Sequence, residues 1–166
     1  MDGHKTLTPA ARWLGYAGLL PQVICLALAL AEPAPGAAAG TGSGWGYAAL
    51  AAGFAYAAAI FSFLGGVWWG QAIAHSFDRP VGAGAYLVAV LPSLIAVALF
   101  LPWLFGWEWP GPALLYLGGL IALSPLVDRA LGFASRDFLN LRVQLSVGLG
   151  VLTILLGIVA ETLMTS

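Results

Sequence analysis

The sequence predicts an all-α membrane protein, a bundle of five transmembrane helices with its amino terminus in the cytoplasm and its carboxyl terminus in the periplasm. Three observations carry this. Of 166 residues, 61% are hydrophobic and only 8% are charged, against about 25% charged in a soluble domain. Mean hydropathy is +0.93, and the apolar stretches reach the roughly 20 residues that a 30 Å hydrocarbon core demands. All six basic residues fall in connections on one side of a five-span arrangement.

The spans are expected over 13–31, 45–74, 85–105, 112–127 and 143–164, as one transmembrane domain over 1–166. The second exceeds a straight crossing, so it tilts or extends beyond the bilayer. Lys5 and Arg12 precede the first span, Arg79 lies between the second and third, and Arg129, Arg136 and Arg142 lie between the fourth and fifth. The other connections carry Glu32 and Glu108 but no Lys or Arg. The positive-inside rule makes the basic side cytoplasmic. Lys5 and Arg12, an apolar run and Ala29-Leu30-Ala31 also fit a signal peptide with an A-x-A cleavage site. The length of the run and Pro21-Gln22 inside it favour a retained helix. The Pro-, Gly- and Ala-rich stretch over 32–44 reads as a flexible external loop.

A faint internal repeat is present. Leu20-Pro21-Gln22-Val23-Ile24 resembles Leu91-Pro92-Ser93-Leu94-Ile95, and Leu64-Gly65-Gly66 resembles Leu117-Gly118-Gly119. Parallel repeats of this kind occur in transporters.

Polar and helix-breaking residues concentrate in the cytoplasmic half. At 1.5 Å of rise per residue, Pro21 and Gln22 lie roughly 14 Å from the cytoplasmic end of their span, and Pro92 and Ser93 roughly 12 Å from theirs. A proline leaves a carbonyl one turn earlier without its donor, and in lipid that carbonyl needs another partner. The expectation is a cytoplasm-facing cavity built from Pro21, Gln22, Ser62, Gly65, Gly66, Trp69, Pro92, Ser93 and Gln144. The bland counterpart is that these residues only hold helices together.

In the second span Ala58, Ser62, Gly66 and Gly70 recur every four residues, a small-residue face of the GxxxG kind that predicts close helix packing. Asp128 and Arg142 are expected to form an interfacial ion pair between the fourth and fifth helices. Trp68 and Trp69 on the inner side, with Trp103, Trp107 and Trp109 on the outer, fit aromatic belts.

The chemistry of common sites is missing from the sequence. His4, His75 and Cys25 are the whole His and Cys complement, too few at too great a spacing for a metal or haem set. No acidic residue lies in mid-membrane for a proton relay, and there is no G-x-S-x-G or glycine-rich phosphate loop. A net charge of −1 with scattered cations gives no footprint for nucleic acid. The expectation is a non-enzyme without a cofactor.

The residues also carry a resemblance. Gly15-Tyr16-Ala17-Gly18-Leu19-Leu20-Pro21 resembles an opening "LGxxGLIP". The run from Tyr56 to Gly70, with Ser62-Phe63-Leu64-Gly65-Gly66-Val67-Trp68-Trp69-Gly70 at its heart, resembles a signature "YxxxIxSFLGGxxWG". Leu91-Pro92-Ser93 and Phe138-Leu139-Asn140-Leu141-Arg142 are further points of likeness. Together they resemble the domain-of-unknown-function family 3429, small bacterial inner-membrane proteins similar to the animal mitochondrial transmembrane protein 69. The resemblance implies about five helices in an energy-coupling membrane, here the bacterial inner membrane, and names no activity.

Two functions follow as expectations. The first is an accessory or assembly subunit, with the lipid bilayer and a membrane-protein partner, or a second copy, as its neighbours. The second is a binding or transport protein for a small apolar or amphipathic molecule held in the cytoplasm-facing cavity.

Overall fold

The computed structural model describes residues 8–31, 44–107, 110–133 and 135–165, the last three without their side chains. Lys5, His4, residues 32–43 of the external loop expected over 32–44, Glu108 and Trp109 lie outside them. Among the described residues every regular element is a helix: α1 (Pro9–Ala17), α2 (Leu20–Leu30), α3 (Trp45–Ser76), α4 (Ala83–Leu104), α5 (Gly111–Leu131) and α6 (Arg136–Thr165). Five runs are long and apolar enough to cross a membrane: Pro9–Leu30, which joins α1 and α2, then Trp45–Ser76, Ala83–Leu104, Gly111–Leu131 and Arg136–Thr162. The chain is a multi-pass membrane protein.

Several helices outrun their apolar segments. α3 has 32 residues, about 48 Å of helix at 1.5 Å per residue. α5 continues past Val127 through Asp128 and Arg129 to Leu131, and α6 begins at Arg136, ahead of the apolar run. Hydropathy marks where lipid ends, whereas backbone hydrogen bonding carries a helix on into water.

The first span is broken where its sequence breaks. Thr8 caps α1, its side chain accepting from the Ala11 N–H at 3.4 Å, and Pro9 follows in the first turn, where its missing N–H costs nothing. Pro21 cannot donate to Ala17, and the chain turns over Gly18 and Leu19 before α2 begins. The Tyr56 hydroxyl of α3 donates to the Gly18 carbonyl at this break.

Consecutive spans run antiparallel, and α5 with α6 forms the most extensive contact, followed by α3 with α4 and α2 with α3. Small residues set these approaches. A Cβ added at Gly118 would sit 2.7 Å from the Gly150 carbonyl oxygen, and one at Gly150 would sit 2.7 Å from that of Gly118. α5 and α6 thus meet backbone to backbone. At the α3–α4 contact the same part falls to Gly65, whose Cβ would lie 2.3 Å from the Ala89 carbonyl oxygen and 3.2 Å from Pro92. The core around these contacts includes Phe54, Phe61, Leu64, Leu114, Leu117, Ile121, Leu149 and Leu156.

The expected packing stripe needs correction. Gly66 and Gly70 are exposed, and a Cβ at either meets nothing within 4 Å. Ala58 and Ser62 are only half-buried. The four-residue spacing is real, but its Gly66–Gly70 end points away from the bundle, while Ala58 packs against the core and the neighbouring Gly65 makes the close contact with α4.

Gly65→Ala is therefore expected to lower stability by about 1–3 kcal/mol, because a backbone carbonyl must yield to the new methyl group. Gly66→Ala should be neutral or stabilising by up to about 1 kcal/mol, through helix propensity alone. Thermal unfolding in a mild detergent measures both. Equal effects would put the close approach elsewhere.

Candidate functional site

Part of the polar interior lies towards the end of the bundle that carries Arg79, Arg129 and Arg136, and part of it, Gln22 and Thr153, lies farther in. Asp128, in the last turn of α5, is 1% exposed and Arg142 of α6 is 7% exposed. Arg142 Nε donates to Asp128 Oδ2 at 3.1 Å, and Nη2 donates to Oδ1 at 3.2 Å. Trp68 of α3, 3% exposed, donates its indole N–H to Asp128 Oδ1 at 2.8 Å. The carboxylate is thus held by a two-pronged guanidinium and an indole from two other helices. The Phe138 ring lies 5.7 Å from the guanidinium carbon, within cation–π range. The pair expected at the interface is buried, and Trp68, expected in an aromatic belt, faces inward as its third member.

One turn deeper, Pro125 leaves the Ile121 carbonyl without its usual N–H donor. The Ser124 hydroxyl lies 2.8 Å from that carbonyl and donates to it. It also lies 3.1 Å from the Ser146 hydroxyl of α6, with which it shares a hydrogen bond. Proline and its repair are adjacent in sequence.

Gln22 of α2 is fully buried. Its Nε2 donates to Thr153 Oγ1 of α6 at 3.1 Å, and Thr153 in turn donates to the Leu149 carbonyl at 2.8 Å. Gln22 Oε1 is buried with no hydrogen-bond partner. Gly53 makes room for this amide: a Cβ there would lie 2.2 Å from Leu156 and 3.6 Å from Gln22 Nε2.

The residues expected to share one cytoplasm-facing cavity are dispersed. Gln22 is locked on Thr153, and Gly65 and Pro92 press against each other. Gly66 and Trp69 are exposed, Trp69 standing edge-on to Tyr86 at 5.2 Å. Gln144, also exposed, accepts from the Tyr16 hydroxyl of α1. Pro21 is half-buried at the break. Ser62 and Ser93 do come together, in the wall of a groove of about 570 Å³ between α3 and α4 that also takes in Phe54, Ala58, Phe100 and Trp103. Trp103 closes its far end by donating to the Tyr47 hydroxyl at 2.9 Å.

Two smaller cavities flank the core. One of about 260 Å³ lies among α1, α3, α5 and α6, with Gly15, Gly18, Tyr56, Ile60, Arg142 and Ser146 in its wall. The other, about 160 Å³, lies among α3, α4 and α5 beside Trp68, Pro92 and Ser124. Among the described residues no three His, Cys, Asp or Glu side chains converge as metal ligands do.

Sequence reasoning missed Trp68 as a donor and Thr153 as the partner of Gln22. The signal for Thr153 is its isolation as a hydroxyl within an otherwise apolar stretch. None exists for Trp68, since an inward indole and an interfacial one read alike.

Removing one partner of the buried pair, by Asp128→Leu or Arg142→Met, is expected to cost about 3–5 kcal/mol, and removing both together less than either alone. Trp68→Phe should cost about 1–3 kcal/mol. A double-mutant cycle on reversible unfolding in detergent measures these, and additive single effects would dissolve the cluster. The Gln22 amide gives a second contrast. Gln22→Leu removes the orphan oxygen together with its bond, so it should be milder than Thr153→Val, which leaves a whole buried amide unpaired at about 1–3 kcal/mol. The reverse order in the same assay would mean that Gln22 Oε1 is satisfied in the membrane.

Comparison with known proteins places these features in a family. No curated protein and no solved structure gives a significant match to the chain. The model of a family described as "Protein of unknown function (DUF3429)" matches residues 7–159, a stretch that takes in the α1–α2 break, the Leu64-Gly65-Gly66 stretch of α3, and the Asp128–Arg142 pair with its Trp68 donor, and the chain belongs to that family.

Proposed function

We propose that the chain is an accessory subunit of a larger complex in the bacterial inner membrane, set with its basic end in the cytoplasm, and that the outward face of α3 receives a transmembrane helix of its partner. The orientation rests on Arg79, Arg129, Arg136 and Arg142 lying at one end. The docking reading rests on the character of that face. Ala48, Ala52, Ala55, Ala59, Gly66 and Gly70 are all exposed along it, with Ser62 half-buried among them.

α4 supplies the contrast. It turns Leu87, Leu91, Leu94, Val97 and Leu101 outward, the large side chains that give acyl chains area to cover. Within a membrane, helices gain little from apolarity itself and associate through close van der Waals packing, which small residues permit. The α3 face adjoins the groove holding Ser62 and Ser93, so the surface is concave as well as small-featured, and the two hydroxyls can bond across to an incoming helix. This reading gives the chain no reaction of its own.

Affinity purification from native membranes in a mild detergent tests it. The wild-type chain is expected to bring down a stoichiometric membrane protein, and Gly66→Leu to lose it while unfolding at an unchanged temperature. Recovery of a second copy alone would turn the accessory subunit into a homo-oligomer. Repeated recovery of the bare chain would end the reading.

A further inference from the structure

α1 is the least anchored helix. None of its residues is buried, and it leans chiefly on α6. Under it lies the cavity of about 260 Å³ that Arg142 helps to line. Two residues of its wall, Leu14 at 73% and Phe63 at 65%, are strongly exposed, so the cavity opens sideways to the lipid between α1 and α3. Its walls are otherwise almost wholly apolar, from Leu19, Ile60 and Leu64 to Leu145 and Leu149.

Tyr56, Ser146 and Arg142 are the exceptions, and the two hydroxyls are engaged with the Gly18 carbonyl and with Ser124. A guanidinium has five N–H donors, and Asp128 takes two of them. The remaining donors have no acceptor among the described residues, although the side chain is 9% exposed. Among the described residues Gln22 Oε1, and no Arg142 nitrogen, is a fully enclosed side-chain atom without a partner. The guanidinium therefore keeps an accessible donor, and Arg142 lines the cavity. Its charge is already balanced by Asp128, and this decides the kind of acceptor. An anionic head would leave the site with a net negative charge where desolvation is costly. A neutral carbonyl oxygen accepts the bond without that cost.

We infer that this cavity binds a membrane-soluble neutral lipophile by a carbonyl head, with Arg142 donating to the carbonyl and the apolar wall below α1 taking the adjoining part of the molecule. The volume is just below the about 300–1,000 Å³ of drug-sized pockets, which suits a ring-sized head or a short length of chain. A quinone and the ester of a neutral acylglycerol share this chemistry. The site uses residues of α3 other than those of the docking face, so it stands or falls apart from the accessory reading.

The test uses the full chain in a maltoside detergent. A decyl-substituted benzoquinone, a monoacylglycerol and decanoate are titrated in turn, with melting temperature and bound mass in native mass spectrometry as readouts. At least one neutral probe is expected to bind saturably and raise the melting temperature. Ile60→Trp, which fills the cavity away from the ion pair, should weaken that binding at least about 10-fold, with Ile60→Phe as the gentler filling variant. The paired change Asp128→Leu with Arg142→Met, which removes the donor without stranding a charge, should also weaken it about 10-fold or more. Binding of the quinone alone or of the ester alone supports the site and identifies the source. Saturable binding by neither neutral probe, undiminished binding in the filled variants, or tighter binding of decanoate than of both overturns the inference.

Discussion

A carboxylate enclosed among hydrocarbon side chains persists only where donors replace the water it has lost. Asp128 finds three: two from Arg142 and one from Trp68. Because these stand on different helices, one side chain fixes the relative height of α3, α5 and α6. The remaining spans are then hung on α3 and α6. α4 seats Ala89 and Pro92 on Gly65, and α2 places Gln22 and Cys25 over Gly53 while reaching Thr153. The ion pair is a poor source of net stability, since its desolvation offsets most of the attraction. Its effect is on register: sliding α5 by one turn would strand a charge, which hydrophobic contacts between near-equivalent Leu and Ala surfaces could not prevent by themselves.

The same rule governs the prolines. A bare carbonyl in lipid must be met from nearby, and the chain meets it in different ways. Ser124 repairs the gap that Pro125 opens in its own helix, and its hydroxyl bond to Ser146 couples the repair to α6. At Pro21 the helix gives way, and Tyr56 comes across from α3 to the neighbouring Gly18 carbonyl. At Pro92 α4 continues unbroken, with the ring buried in the α3 contact. Prolines that look alike in sequence therefore do different structural work, according to which hydroxyl is within reach.

Much of the fold was legible because hydropathy and span length speak directly to the bilayer, and the five helices follow from them. The helix ends were not, since Asp128, Arg129 and Arg136 look like loop residues to a hydropathy reading and are helical. The partnership of Asp128 and Arg142 was legible from opposite charges flanking a short connection, but its burial was not, because depth depends on how α3 packs over it. The cavity was the least legible part. Counting residues from the cytoplasmic end gives Gln22 and Pro92 a similar depth, yet Gln22 packs beside Gly53 and Pro92 beside Gly65, about 18 Å apart along α3 at 1.5 Å per residue, because the first span is broken and the helices begin at different heights. The repeated Leu-Gly-Gly stretches show what sequence does carry at this level. In both, the first glycine meets a carbonyl of the following span and the second faces open space. The motif encodes a backbone contact, and which of two adjacent glycines makes it is set by 100° of rotation.

That rotation matters because a membrane helix cannot tell its neighbours apart by polarity. It is apolar all round, so side-chain size takes over as the distinguishing property of each face. α4 follows the pattern of a helix bordering lipid, with small Ala89 and Ala96 inward and large Leu87, Leu94 and Leu101 outward. α3 inverts it. Its large residues Phe54, Phe61, Leu64 and Trp68 point inward, and one outward strip of it, beside the exposed Tyr47, Phe63, Trp69 and Ile73, is alanine, serine and glycine. The inward choice follows from the core, since α3 is the helix around which α2, α4, α5 and α6 are arranged and large side chains fill the space between them. The outward choice has no such cause within the chain. Acyl chains cover bulky and small surfaces alike and impose no closeness of approach, whereas a rigid helix gains contact in proportion to how near it can come. The inversion on α3 therefore supports a rigid neighbour over a fluid one.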